Sequence, residues 1–142
     1  MSDGLDAREL ATAFGRIRRS VKEALMDQTV LAGIGNILAT EALWHARLDP
    51  RSPANALTPA DVRNLVRGLR TAIRRQLATR ERARGGEPRD VFFAYGREGE
   101  TCARCDGVLR RIVLGGRGTT FCSGCQERRK ISRARERRRS RG

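Results

Sequence analysis

The chain has 142 residues, room for one ordinary domain or a small domain plus a mini-domain, which excludes a large multidomain enzyme. All but Lys22 and Lys130 of its 30 basic residues are arginine; against 16 acidic residues they leave a net charge of +14. Such an excess of guanidinium forks, which grip phosphate bidentately, points to a polyanionic partner. No apolar run approaches the ~18 residues that cross a bilayer, and Met1 to Leu5 lacks the basic-then-apolar layout of a signal peptide. A cytoplasmic protein with no membrane partner is expected. In a reducing compartment its four cysteines suit metal ligation better than a disulfide framework.

Residues 5–84 read as helical, with a core that must be mostly aliphatic because Trp44, Tyr95 and four Phe are the only aromatic residues. Leu5, Leu10, Phe14 and Ile17 line one face of an opening helix. Ser20 followed by Glu23 is a capping-box pattern opening a second helix with Val21, Ala24 and Leu25 as its apolar stripe. Gly33 and Gly35 then break the helical pattern, and Asn36 is the expected N-cap of a helix from Ile37 to Ala46. Thr58-Pro59 with Asp61 starts the longest helix, with Val62, Leu65, Val66, Leu69, Ile73 and Leu77 at helical spacing. Arg63, Arg67, Arg70, Arg74 and Arg75 occupy the opposite, solvated face, and Gly85-Gly86 with Pro88 end it. Residues 85–94 read as a linker.

Beyond the linker, Leu109–Leu114 and Thr119–Phe121 are β-prone runs joined by Gly115-Gly116-Arg117-Gly118, a hairpin signal that puts Arg117 at the tip. Cys102-x-x-Cys105 and Cys122-x-x-Cys125 flank this hairpin. Two such knuckles supply four thiolates at tetrahedral positions, the pattern of one closed, structural Zn2+ site; free or redox-active thiols are the alternative. Residues 127–142 carry nine basic side chains against Glu127 and Glu136, with almost no apolar ones. A basic disordered tail is expected there.

Two stretches are candidate phosphate sites. Gly33-Ile34-Gly35-Asn36 opens a helix, whose free N–H groups and positive dipole end suit an anion; the bland alternative is a packed turn capped by Asn36. Arg117 beside glycines, with Arg110 and Arg111 on the preceding strand, makes a second; a solvated turn arginine is its alternative. His45, the only histidine, and Trp44 read as structural.

The segments Val21-Lys22-Glu23-Ala24-Leu25-Met26-Asp27-Gln28 and Ala32-Gly33-Ile34-Gly35-Asn36-Ile37-Leu38-Ala39-Thr40-Glu41-Ala42-Leu43 resemble the helix–two-turn–helix signature of the formamidopyrimidine-DNA glycosylase and endonuclease VIII family. Tyr95-Gly96-Arg97-Glu98-Gly99-Glu100 before Cys102, and Gly116-Arg117-Gly118-Thr119 before Cys122, resemble its zinc finger. The resemblance covers the family's C-terminal half. It implies a mainly α fold: a helix–two-turn–helix DNA-binding domain over 5–84, a linker over 85–94, a small zinc-binding β-hairpin (a four-cysteine zinc finger) over 95–126 and the tail over 127–142. It also implies that Asn36 and Arg117 bind the backbone phosphate at a lesion, that Lys22 belongs to the DNA-facing site, and that Glu41 is a buried supporting acid.

The family's catalytic N-terminal proline and the glutamate after it have no match in Met1-Ser2-Asp3, and the β-sandwich that carries them has no room upstream of the helical motif. The expected function is therefore DNA binding through Lys22, Gly35, Asn36, Arg110, Arg111 and Arg117, without glycosylase chemistry and with no catalytic residue. The DNA would be duplex, intact or abasic or distorted, or single-stranded. A monomer is expected, associated with the nucleoid if the source is bacterial, with a protein partner as the source of any catalysis. The alternatives are an abasic-site lyase or glycosylase using Lys22 or the N-terminal amine, and an RNA-binding zinc ribbon.

Overall fold

The computed structural model describes residues 5–82 and 92–131. Four helices come first: α1 (Ala7–Phe14), α2 (Val21–Met26), α3 (Asn36–Ala46) and α4 (Pro59–Arg82), with a 3-10 turn at Ala54–Ala56. An antiparallel hairpin of β1 (Leu109–Leu114) and β2 (Arg117–Cys122) follows.

The helix starts follow local chemistry. The Asp6 carboxylate accepts the Arg8 and Glu9 N–H groups at the start of α1. Ser20 Oγ accepts the Glu23 N–H and donates to Glu23 Oε1, closing the cap of α2. Thr58 Oγ1 accepts the Asp61 N–H while Asp61 Oδ2 accepts the Thr58 N–H, a reciprocal capping box before Pro59. The helices bury Leu10, Phe14, Val21, Leu25, Ile34, Leu43, Val62, Leu65, Val66 and Leu69 in one core, with Leu5 and Ile17 against its edge. On α4 the apolar stripe leaves that core before its end: Ile73 is half-buried and Leu77 is 55% exposed.

α3 and α4 pack closely because Gly68 has no side chain. A Cβ there would lie 2.6 Å from the Ala42 carbonyl oxygen and 3.2 Å from His45 Cβ. Gly115 and Gly116, with φ of 57° and 77°, form the two-residue turn of the hairpin. Both residues in the left-handed region match the twist of antiparallel strands. Arg117 therefore lies not at the tip but as the first residue of β2, paired with Leu114.

Two expected boundaries shift. Phe92 to Ala94, assigned to a linker, belong to the folded zinc unit, with Ala94 fully buried beside Trp44 and Cys102. The chain after Gln126 does not leave as a tail at once. Glu127 pairs with the backbone of Arg47 and Asp49, and Leu48 and Glu127 form a parallel bridge. The Arg129 guanidinium then clasps both oxygens of Asp61 at 2.9 and 3.1 Å, and the Arg129 backbone N–H donates to Ser52 Oγ. An arginine fork on a nearly buried carboxylate at a helix N-terminus offsets the local charge, which composition alone did not reveal. The rest of the expected linker and tail, 85–91 and 132–142, lies outside the described residues.

Gly68→Ala tests the α3–α4 approach. Helix propensity alone favours alanine by roughly 1 kcal/mol. The contact reverses that sign, so the variant is expected to unfold at lower denaturant by about 1–3 kcal/mol. A stabilised variant would contradict the packing.

Candidate nucleic-acid interface and metal centre

The four cysteine sulfurs lie within 4.8 Å of one another. Cys102 Sγ is 3.9 Å from Cys125 Sγ, and Cys105 Sγ is 3.3 Å from Cys122 Sγ, so each close pair takes one sulfur from each knuckle. Four thiolates about 2.3 Å from one zinc stand roughly 3.8 Å apart, which fits this cluster. The surroundings fit as well. A Cβ on Gly107 would come within 3.1 Å of Cys122 Sγ and 3.3 Å of Cys105 Sγ, so only glycine leaves room for the knuckle. Burial pushes the Cys102 thiol up, but the Arg104 and Cys105 backbone N–H groups and the Trp44 indole outweigh it and bring it down to about 6. These residues hold one structural Zn2+, with four protein ligands and no open position for catalysis.

The hairpin is bound to the helices through Lys22. Its side chain is completely buried, and Nζ donates to Asn36 Oδ1 and, at 2.9 Å, to Thr119 Oγ1 on β2. Asn36 in turn donates from Nδ2 to the Gly118 carbonyl at 3.0 Å. The expected capping role of Asn36 is thus overturned. Gly35 occupies the N-cap position, α3 has no side-chain cap, and Asn36 spends its amide on the hairpin. The first-turn N–H groups of α3 are left to face an anion. Gly33 makes the turn possible with φ of 84°, whereas a Cβ on Gly35 would meet open space.

Arg117 is exposed on β2, and its charge is near enough to Lys22 to contribute to its titration. Burial first, and Arg117 second, bring Lys22 from 10.5 down to about 8. A groove of about 220 Å³ between α3 and the hairpin is lined by Asn36, Tyr95, Gly96, Glu98, Arg111, Gly118 and Thr120. Arg111 reaches this groove; Arg110 does not line it, because successive strand residues point to opposite faces. Along the seam between α3 and the hairpin, Asn36 and Arg111 line the groove, Lys22 is bonded to Asn36, and Gly35 precedes Asn36 at the start of α3. Arg117 does not line the groove, since it shares a strand face with Thr119 and, across the pair, with Arg110. It is linked to this region by its charge acting on Lys22.

Other residues hold the seam in place, and the sequence did not single most of them out. Glu41 accepts the backbone N–H groups of Phe93, Ala94 and Tyr95 at 2.6, 2.9 and 2.9 Å, latching the entry to the zinc unit onto α3. Burial pushes its carboxyl above the usual carboxylate range, against the pull of these three donors. Gln126 accepts the Cys122 N–H at 2.7 Å and donates to the Leu48 carbonyl at 2.9 Å, tying the second knuckle to the loop after α3. A glutamine one residue past the last cysteine, before a polar run, carries no pattern that would mark it. His45 sits edge-on to Trp44 and Phe93, in keeping with a structural role.

The family described as "Formamidopyrimidine-DNA glycosylase H2TH domain" matches residues 1–84, more than half of the chain. The chain belongs to the formamidopyrimidine-DNA glycosylase family. A second family, "Zinc finger found in FPG and IleRS", matches residues 99–128. The formamidopyrimidine-DNA glycosylase of Laribacter hongkongensis is 40% identical over 139 residues, covering 89% of this chain and 50% of that protein. The enzyme of Paracoccus denitrificans is 40% identical over 142 residues, covering 89% and 49%. Among solved structures, MutM (Fpg) of Thermus thermophilus superposes with a TM-score of 0.77 at 33% identity, covering 91% of this chain and 53% of that one. The Lactococcus lactis Fpg, crystallised with DNA containing an abasic site, gives 0.75 at 27% identity, covering 87% and 48%. The chain spans about half the length of the curated relatives it matches. Among the described residues, no helix is long and apolar enough to cross a membrane.

Two outcomes are expected from this site. Cys122→Ser should lose zinc and the hairpin together, read by metal content and by amide signals of β1 and β2; a folded hairpin without metal would contradict the structural role. Lys22 supplies a pH signature. Between about 8 and 10.5 the unfolded chain binds more protons than the folded one, so the stability set by Lys22 rises with pH. The denaturant midpoint of the wild type should rise more between about pH 7.5 and 9.5 than that of Lys22→Met. Equal pH responses would place the Lys22 amine in water.

Proposed function

We propose that this chain is a DNA-binding unit of the glycosylase family that grips the phosphate backbone between the uncapped start of α3 and Arg117 of the zinc hairpin. The observation that supports it is the Lys22–Asn36–Gly118 and Lys22–Thr119 network. It ties the uncapped start of α3 to the hairpin that carries Arg111 and Arg117, which supports a joint grip. Arg111 and Arg117 add charge that cannot be lost at any physiological pH. The abasic-site DNA held by the Lactococcus relative makes distorted or abasic duplex the first substrate to try.

In this reading the described residues contribute grip and no bond-breaking. A second reading, an abasic-site lyase acting through Lys22, is favoured by the depressed titration of its amine and opposed by the amine's complete burial between Asn36 and Thr119. The N-terminal amine, the other candidate, lies outside the described residues.

Labelled duplexes, intact or with one abasic site, at several salt concentrations separate these readings in a single set of samples. If about four to six phosphates are neutralised, log K falls with log salt with a slope of about −4 to −5. Arg117→Ala should flatten the slope by about 1 without unfolding the protein. No strand nicking and no borohydride-trapped adduct are expected. A flat salt response would remove the electrostatic grip. A trapped adduct lost in Lys22→Met would establish the lyase instead, and preferential competition by structured RNA would establish an RNA-binding role.

A further inference from the structure

Arg104, inside the first knuckle, has an unusual set of neighbours. Its Nη2 lies 3.1 Å from Cys125 Sγ, a ligand of the opposite knuckle, and its Cζ sits 3.9 Å from the centre of the Trp44 ring. Trp44 Nε1 donates to Cys102 Sγ at 3.4 Å. Phe93 stacks on Trp44 at 4.4 Å with an interplanar angle of 1°, and Arg75 Cζ lies 4.4 Å from the Phe93 ring. Two groups cannot share one face of the indole at these distances, so Trp44 is sandwiched between Arg104 and Phe93. The result is a column of cation, indole, phenyl and cation, running from the metal centre to α4.

This column has consequences for the metal. Four thiolates around Zn2+ carry a net charge of −2, and this centre is partly buried, with Cys102 and Cys122 closed off from solvent. The excess charge must be answered by N–H donors. Arg104 and Trp44 answer it at two sulfurs, one from each knuckle, and both donors are themselves fixed by stacking. Arg104 Nε is buried without a hydrogen-bond partner, and among the described residues the stacking and the sulfur contact are what set the position of the guanidinium. A guanidinium keeps its charge under all conditions in which the protein is folded.

We propose that Arg104 and Trp44 are positioning residues of the metal centre, which hold the Cys125 and Cys102 thiolates by N–H···S bonds and so control how tightly zinc is retained. Outer partners of metal ligands typically change affinity by about 10- to 100-fold when removed. The N–H···S bond stabilises the sulfur lone pair, so its loss raises the energy of the electrons that the thiolate donates to a metal.

The zinc-loaded chain and its Arg104→Ala, Arg104→Lys and Trp44→Phe variants test this. Zinc transfer to a chromophoric chelator gives affinity, and Co2+ in place of zinc gives the thiolate-to-cobalt charge-transfer band. Arg104→Ala should lose about 10- to 100-fold in zinc affinity. Trp44→Phe keeps an aromatic ring between Arg104 and Phe93, removes the N–H donor together with part of the indole, and should lose affinity in the same direction. In both, the cobalt band should move to lower energy, a shift that a purely structural role would not produce. Arg104→Lys, which keeps the charge, should recover part of the affinity. Wild-type affinity and an unmoved band in both Arg104→Ala and Trp44→Phe would overturn the assignment. Where Arg104→Ala does not fold, the cobalt spectrum of Trp44→Phe decides alone.

Discussion

A buried lysine amine that, among the described residues, is hydrogen-bonded by an amide and a hydroxyl and by no carboxylate is the constraint on which the rest of this structure turns. Lys22 Nζ is out of water, held by an amide oxygen on α3 and a hydroxyl on β2, 97 residues later in the chain. Removing an ammonium from water costs several kcal/mol unless every donor finds a partner. The hairpin must therefore stay docked on the helices for the charge to be tolerated. The cost appears as a depressed titration, and the gain is positional. Asn36 is turned from capping its own helix toward the hairpin, and the start of α3 is left open to an anion.

The zinc unit could not take that position unaided. Its own cluster of buried apolar groups consists of Trp44, Ala94, Leu109 and two of the cysteines, and Trp44 is lent by α3. So small a core does not fold without metal, whose binding in comparable fingers is worth roughly 10–16 kcal/mol. Three further ties fix the unit on the helices: the Glu41 carboxylate under residues 93–95, the Gln126 amide between Cys122 and Leu48, and the Arg129–Asp61 clasp. None of Glu41, Gln126 and Arg129 lines the groove, so its surface is shaped by residues that stand behind it.

Much of this was legible in the sequence because it rests on local rules. The capping box at Ser20, the start of the long helix at Thr58-Pro59 and the cysteine spacing each obey a constraint spanning a few residues, and each appears where expected. The family resemblance held, and it brought Lys22, Asn36 and Arg117 forward as site residues. What failed to show was long-range. Nothing local distinguishes an asparagine that caps a helix from one that bonds 82 residues ahead, and Asn36 does the second. The strap from Gln126 to Arg129 reads as the start of a charged tail, because its partners at Leu48, Ser52 and Asp61 are remote. Nothing in the sequence marks Arg104, whose partners Trp44 and Cys125 are remote in the chain.

On this view the phosphate backbone is held at the seam between α3 and the hairpin, and not along the arginine face of α4. Amide and side-chain signals of isotope-labelled protein, followed as a duplex with one abasic site is added, test this most directly. The predicted result is a set of perturbations concentrated on Gly33 to Asn36, the Asn36 side-chain amide, Arg111 and Arg117 to Thr119. Perturbations running along Arg63, Arg67 and Arg74, with the seam unmoved, would contradict it.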